Sequence, residues 1–208
     1  MRASATAPGE ALLQDLIWPG RLPSAHLVMD AARAPSLYGW LARSGLRYAS
    51  LYSGTSAVTL QAQAPYLVEL PLGSPVAKDY LRAGWGFSAG IFVFSDLSFE
   101  SLRIALKKKL VLRDPHGQRN YFRFYDPRVA IAFLATGGGS AWAWWFAGPL
   151  SGVLFENLHG QAVLCTPGTR VDPIGAVRVF NVTRPEAAHA AVELAEEGLS
   201  THFTGAVA

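Results

Sequence analysis

The apolar positions of this chain fall into short blocks whose period keeps changing. Residues 10–18 carry Leu12, Leu13, Leu16 and Ile17 at helical spacing, and Pro19-Gly20 ends that helix. Residues 26–31 predict a buried strand, and the very apolar run 90–94 predicts another. Residues 35–43 predict a helix entered at Pro35, 48–52 a strand, 56–62 a short helix, and 65–70 a strand bounded by prolines. Residues 75–83 predict a helix, broken by Gly84-Trp85-Gly86. Ser98 is placed to cap a helix with Phe99, Leu102, Ala105 and Leu106 on its buried face, and Glu100 can pair with Arg103 one turn on.

The second half follows the same logic. Residues 110–113 and 121–125 predict a hairpin around Asp114-Pro115-His116-Gly117. Phe122 and Phe124 alternate with Arg123 and Tyr125, so the strand is expected to run straight into a helix capped by Asp126 and begun by Pro127. That helix covers 127–135 and stops at Gly137-Gly138-Gly139. Residues 153–156 and 161–165 predict another hairpin, and 177–182 a last strand. Thr183 and Glu186 form a capping box for a helix reaching about Glu197.

Together these elements predict an α/β fold: a single domain with a central mixed β-sheet flanked by helices, plus a short C-terminal helix. The expected organisation is a flexible lead over 1–8, the α/β domain over 9–182, and a helix and tail over 183–208.

Composition narrows the function classes. The chain has 208 residues, of which 50% are hydrophobic and 16% charged, with a mean hydropathy of +0.20. That length suits one domain, burying about 70% of its unfolded surface, and the apolarity predicts a partner covering some of the remainder. The formal net charge is only +3. The dense basic run, Lys107-Lys108-Lys109, suits the last turn of a helix, where cations meet the dipole. No aromatic-basic interleaving accompanies it, so no nucleic-acid partner is expected. The start of the chain lacks the apolar core of a secretory signal. No apolar run approaches the roughly 20 residues that span a bilayer. The expectation is a cytoplasmic protein without membrane insertion.

Candidate chemistry is sparse. There is no phosphate loop, no Gly-x-Ser-x-Gly elbow and no His-Glu-x-x-His. The single cysteine, Cys165, reads as a small buried residue rather than a nucleophile served by His159 or His189. The five histidines are scattered singly, so no metal site is expected, and no cofactor either. Asp30, Asp79, Asp96 and Asp126 each have a cap or turn explanation, which leaves no assigned acid–base pair.

Two clusters remain. Arg123, Tyr125, Asp126 and Arg128 put charge into an apolar neighbourhood, which is costly unless paired. They predict either an internal ion-pair lock, with one arginine on Asp126, or a recognition surface. Trp142, Trp144 and Trp145 cannot all face one side of a helix, because neighbours diverge by about 100°. At least one is expected to be exposed or at an interface, where Trp is favoured. All seven residues are protein-binding candidates.

The order of motifs adds a resemblance. The chain shows Met29-Asp30-Ala31-Ala32-Arg33, Leu37-Tyr38, Tyr48-x-Ser50-Leu51-Tyr52-x-Gly54 and Ala64-Pro65-Tyr66-Leu67-Val68-Glu69-Leu70-Pro71. It continues with Gly84-Trp85-Gly86, Gly90-Ile91, Leu102-Arg103-x-x-Leu106-Lys107, the segment Phe122 to Val129, and Phe146-x-Gly148-Pro149. Over roughly residues 25–156 this resembles the effector adaptor-chaperones of bacterial type VI secretion, the Tap or Tec adaptors. The resemblance implies a non-enzyme that binds an effector toxin in the cytoplasm and helps load it onto the VgrG spike protein. Members of that family commonly continue into a larger helical lobe, so 183–208 reads as a truncated version of it. The competing expectations are an immunity-like or structural partner that binds a toxin without delivering it, and a hydrolase with an unrecognised site.

Overall fold

The computed structural model describes residues 8–18, 20, 25–33, 35–71, 84–114, 116–148, 150–168 and 175–182. The helices expected over 75–83 and after Thr183, and residues 1–7 of the expected lead, lie outside the described residues; Pro8, the last residue of that lead, instead begins the first helix.

Nine strands are present among these residues: β1 Ala25–Asp30, β2 Tyr48–Ser50, β3 Pro65–Glu69, β4 Gly90–Phe94, β5 Val111–Arg113, β6 Arg119–Tyr121, β7 Gly152–Glu156, β8 Ala162–Cys165 and β9 Val177–Phe180. The α-helices are α1 Pro8–Ile17, α2 Pro35–Arg43, α3 Thr55–Thr59, α4 Phe99–Lys108 and α5 Pro127–Phe146. Seven strands form one sheet in the order β2-β3-β1-β4-β7-β8-β9, and β5-β6 form a separate hairpin.

The central sheet flanked by helices is present as the alternation of elements predicts, with one detail corrected. Every pairing in the sheet is antiparallel rather than mixed. The helical excursions return the chain to the end of the sheet it left. β1 ends at Asp30 and β3 begins opposite it at Pro65; β4 ends at Phe94 and β7 begins opposite it at Gly152. Antiparallel neighbours need no crossover.

The strands read as continuous apolar runs because both faces of the sheet are covered. Leu27, Met29, Tyr66, Val68, Phe92, Phe94 and Leu154 point into a core closed by α1 and α2. Val28, Leu67, Ile91, Val93, Val153 and Phe155 point the other way, into a core closed by α4 and α5. The period of two inside each strand sorts its residues between the two layers. Gly90 lies where two strands pack closely: a Cβ there would lie 2.4 Å from the carbonyl oxygen of Val28.

Two expectations near the middle of the chain are revised. The strand before α5 stops at Tyr121, and after Phe122 the residues 123–126 form a turn in which Asp126 N–H donates to the Arg123 carbonyl at 3.0 Å. Strand geometry would send Phe124 and Tyr125 to opposite faces. The turn buries both, at 0% and 1% exposure. The expected stop in the glycine run is a break rather than an end. α5 passes through Gly138, whose φ of 51° and ψ of −142° are not helical, and continues to Phe146.

By length and composition α5 is the one helix among the described residues able to cross a membrane, although the sequence pattern suggests no run of that length. The break at Gly138 divides it, and Ala130, Trp142 and Trp145 pack against the sheet.

Candidate functional site

The separated sequence motifs converge on one end of the sheet. Asp30 ends β1, Pro65 begins β3 opposite it, Gly90 begins β4 and Glu156 ends β7. Most of their polar groups hold loops in place. Arg33 donates from Nε and Nη2 to the Phe87 carbonyl. The buried Glu156 carboxylate accepts from the backbone N–H groups of Gly86 and Ser88. Trp85 donates from Nε1 to the Gly160 carbonyl at 3.2 Å. The segment after residue 84 is thus fastened from three directions, which supports the left-handed φ of 53° at Ser88. Tyr38 stacks on Tyr66, with centroids 5.6 Å apart, and both hydroxyls reach Gln61.

Beside this lies a cluster of four charges. Asp30 has no exposed surface; it accepts from Arg123 Nη2 and from Ala32 N–H. Asp126 caps α5 by accepting from Arg128 N–H at 3.0 Å, and also accepts from Arg128 Nε at 3.0 Å and Nη2 at 2.7 Å. The two carboxylates end up in different electrostatic states. Burial lifts the Asp30 carboxyl above its ordinary value, and Arg123 only partly opposes that. Burial also acts on Asp126, but the hydrogen bonds and charge of Arg128 outweigh it and hold the carboxyl below the usual range. The Arg123 and Arg128 side chains are 41% and 46% exposed, although the Arg123 Nε is buried without a hydrogen-bond partner among the described residues.

A tyrosine chain adjoins the cluster. Tyr121 donates to Tyr52 at 2.9 Å and its hydroxyl lies 2.9 Å from that of Tyr125. It ties the β5-β6 hairpin to the body of the protein. Burial, reinforced by these contacts, raises the Tyr121 hydroxyl well above the ordinary tyrosine value.

The tryptophans divide unequally. Trp142 and Trp145 are buried, and Trp144 is half-buried. Trp144 packs edge-on against Phe122 and Phe133, with centroids at 5.1 and 5.3 Å, and the Lys109 ammonium lies 4.2 Å from its ring centre. Lys109, the residue that ends α4, also donates to the carbonyls of Trp144 and Trp145 and so closes the C-terminal end of α5. Burial pulls this lysine down to about 8.

Alongside α5, Phe122, Asp126, Arg128, Val129, Ala132, Phe133 and Thr136 line an open groove. Of the seven sequence candidates, Arg123, Tyr125, Asp126 and Arg128 are thus brought together. Tyr125, Asp126, Trp142 and Trp145 are core residues, whereas Arg123, Arg128 and part of Trp144 remain accessible. The sequence missed Asp30 as the partner of Arg123, and missed the groove residues Phe122, Val129 and Phe133. The signal for Asp30 was a carboxylate at the end of a buried, mostly apolar strand.

Elsewhere, burial pushes the Cys165 thiol up to about 12, which keeps it protonated and poorly nucleophilic at neutral pH. Among the described residues, no group of three or more His, Cys, Asp or Glu is placed to hold a metal ion. A family model described as a domain of unknown function (DUF4123) matches residues 25–151, well over half of the chain. Searches of curated proteins and of solved structures found no match.

Proposed function

This chain belongs to that family, DUF4123, and from this premise we propose that it is a non-catalytic adaptor. It binds an effector toxin of type VI secretion in the cytoplasm and helps load it onto the VgrG spike protein. The ordered motifs resemble those of the Tap or Tec adaptors, and the matched region nearly coincides with the span of that resemblance.

The observation that carries the reading is how the motif residues are used. Asp30, Arg33, Trp85 and Asp126 are committed to fastening loops and helix ends. The groups left partly exposed beside them are arginine side chains and half-buried aromatic rings, the residue types enriched in protein interfaces.

Bridging tests this function. Immobilised toxin, encoded beside this chain, is expected to retain the spike protein only when the chain is present. Toxin binding without spike capture would replace the adaptor by an immunity-like partner.

A further inference from the structure

We infer that the groove along the first half of α5 receives a segment of the effector that presents an aliphatic side chain next to a carboxylate. The inference rests on the adaptor reading above and assigns its effector-binding face.

The walls are apolar and already ordered. Phe122, Val129, Ala132 and Phe133 supply most of the lining. The Thr136 hydroxyl donates its proton to the Ala132 carbonyl at 2.8 Å, so its donor is already satisfied. The Phe122 and Phe133 rings lie 4.8 Å apart and both rest on Trp144, whose ring also carries the Lys109 ammonium. Such a groove loses little freedom on binding, which favours affinity.

The rim selects charge. Asp126 and Arg128 are the charged residues in the lining. The Asp126 side chain is only 3% exposed and its oxygens are taken up by Arg128, whereas the Arg128 side chain is 46% exposed. Arg128 uses Nε and Nη2 on Asp126, and its Nη1 has no partner among the described residues. An incoming group therefore meets the guanidinium, with its counter-ion buried beneath. Arg123, outside the lining, likewise sits partly exposed over a buried carboxylate, that of Asp30. The complement is a carboxylate beside an apolar anchor. A nucleic-acid strand would need cations spaced along its phosphates, and the lining carries a single arginine.

The test is titration of purified full-length chain with the toxin, comparing wild type, Ala132→Glu, Arg128→Gln and a control, Ala42→Glu. Ala132 and Ala42 are both exposed, Ala42 on the helix that covers the opposite face of the sheet. Melting curves verify that each variant is folded. Ala132→Glu, which places bulk and a repelling charge in the groove, is expected to weaken toxin binding at least tenfold. Arg128→Gln is expected to weaken it and to flatten its salt dependence, while Ala42→Glu binds as wild type does. Wild-type affinity in folded Ala132→Glu overturns the groove and leaves the adaptor reading standing. Toxin binding intact with only spike capture lost overturns the choice of occupant, as does a self-association that Ala132→Glu abolishes. Absence of any binding by the wild type overturns the adaptor reading and this inference together.

Discussion

Asp30, wholly buried at the end of β1, accepts a hydrogen bond from Arg123, which lies 93 positions further along the chain. That contact fastens the turn before α5 to the centre of the sheet. Arg123→Ala removes the partner and leaves the carboxylate buried. Breaking a buried pair costs about 3–5 kcal/mol; the loss should fall toward the lower end because Arg123 is partly exposed. Urea unfolding at pH 7 measures it. Since burial already raises the Asp30 carboxyl, the folded state binds this proton more readily than the unfolded one. Acidification toward that raised value should therefore recover part of the lost stability.

Asp126 should behave with the opposite sign. It caps α5 and binds Arg128, so Asp126→Ala is expected to cost about 0.5–2 kcal/mol through the cap. Its carboxyl lies below the ordinary value of 3.8. The contribution is fully present above that pH and is lost as the pH falls through the lower folded value. The difference in unfolding free energy between wild type and Asp126→Ala, followed from pH 6 to pH 3, should shrink at the acid end. A difference that widens there contradicts the assignment.

Lys109 supplies an alkaline signature. Its folded value of about 8 lies below the ordinary 10.5, so between those values the unfolded chain binds more protons. Its titration should raise stability from pH 8 to 10 by an amount on the order of 3 kcal/mol at most. Above pH 10 the raised tyrosines act the other way: Tyr66, lifted to about 12, keeps its proton in the fold and loses it when unfolded. Lys109→Met should abolish the rise between pH 8 and 10, measured by chemical unfolding at each pH.

Gly138 sits at φ 51° and ψ −142° inside α5, and a Cβ added there would meet nothing within 4 Å. Gly138→Ala would therefore meet backbone strain rather than a clash. Strain of this kind costs about 1–3 kcal/mol, and a lowered melting temperature is the expected readout. A variant as stable as wild type would mean that the two halves of α5 can straighten without loss.

Much of this arrangement was legible in the sequence. The Asp126-Pro127 helix start, the Ser98 cap and the hairpin around Asn157 follow from local chemistry, and each is present, whereas the helix expected to stop in the glycine run only breaks there and continues. The turn at 123–126 was not legible, because its alternating pattern suits a strand equally well. What decides it is the burial of Phe124 and Tyr125 together, with Arg123 drawn to a carboxylate 93 positions away. The tryptophans were ambiguous for a similar reason. Helical spacing required them to diverge, but only packing showed Trp142 and Trp145 inside, with Trp144 held at the surface by Phe122, Phe133 and Lys109.

The most direct test of the central claim is the mass, by light scattering, of material purified after co-expression of this chain with the toxin and spike protein encoded beside it. The account predicts one species whose mass requires all three proteins, and its loss when this chain is omitted. Elution of this chain alone, beside folded and soluble partners, would contradict it.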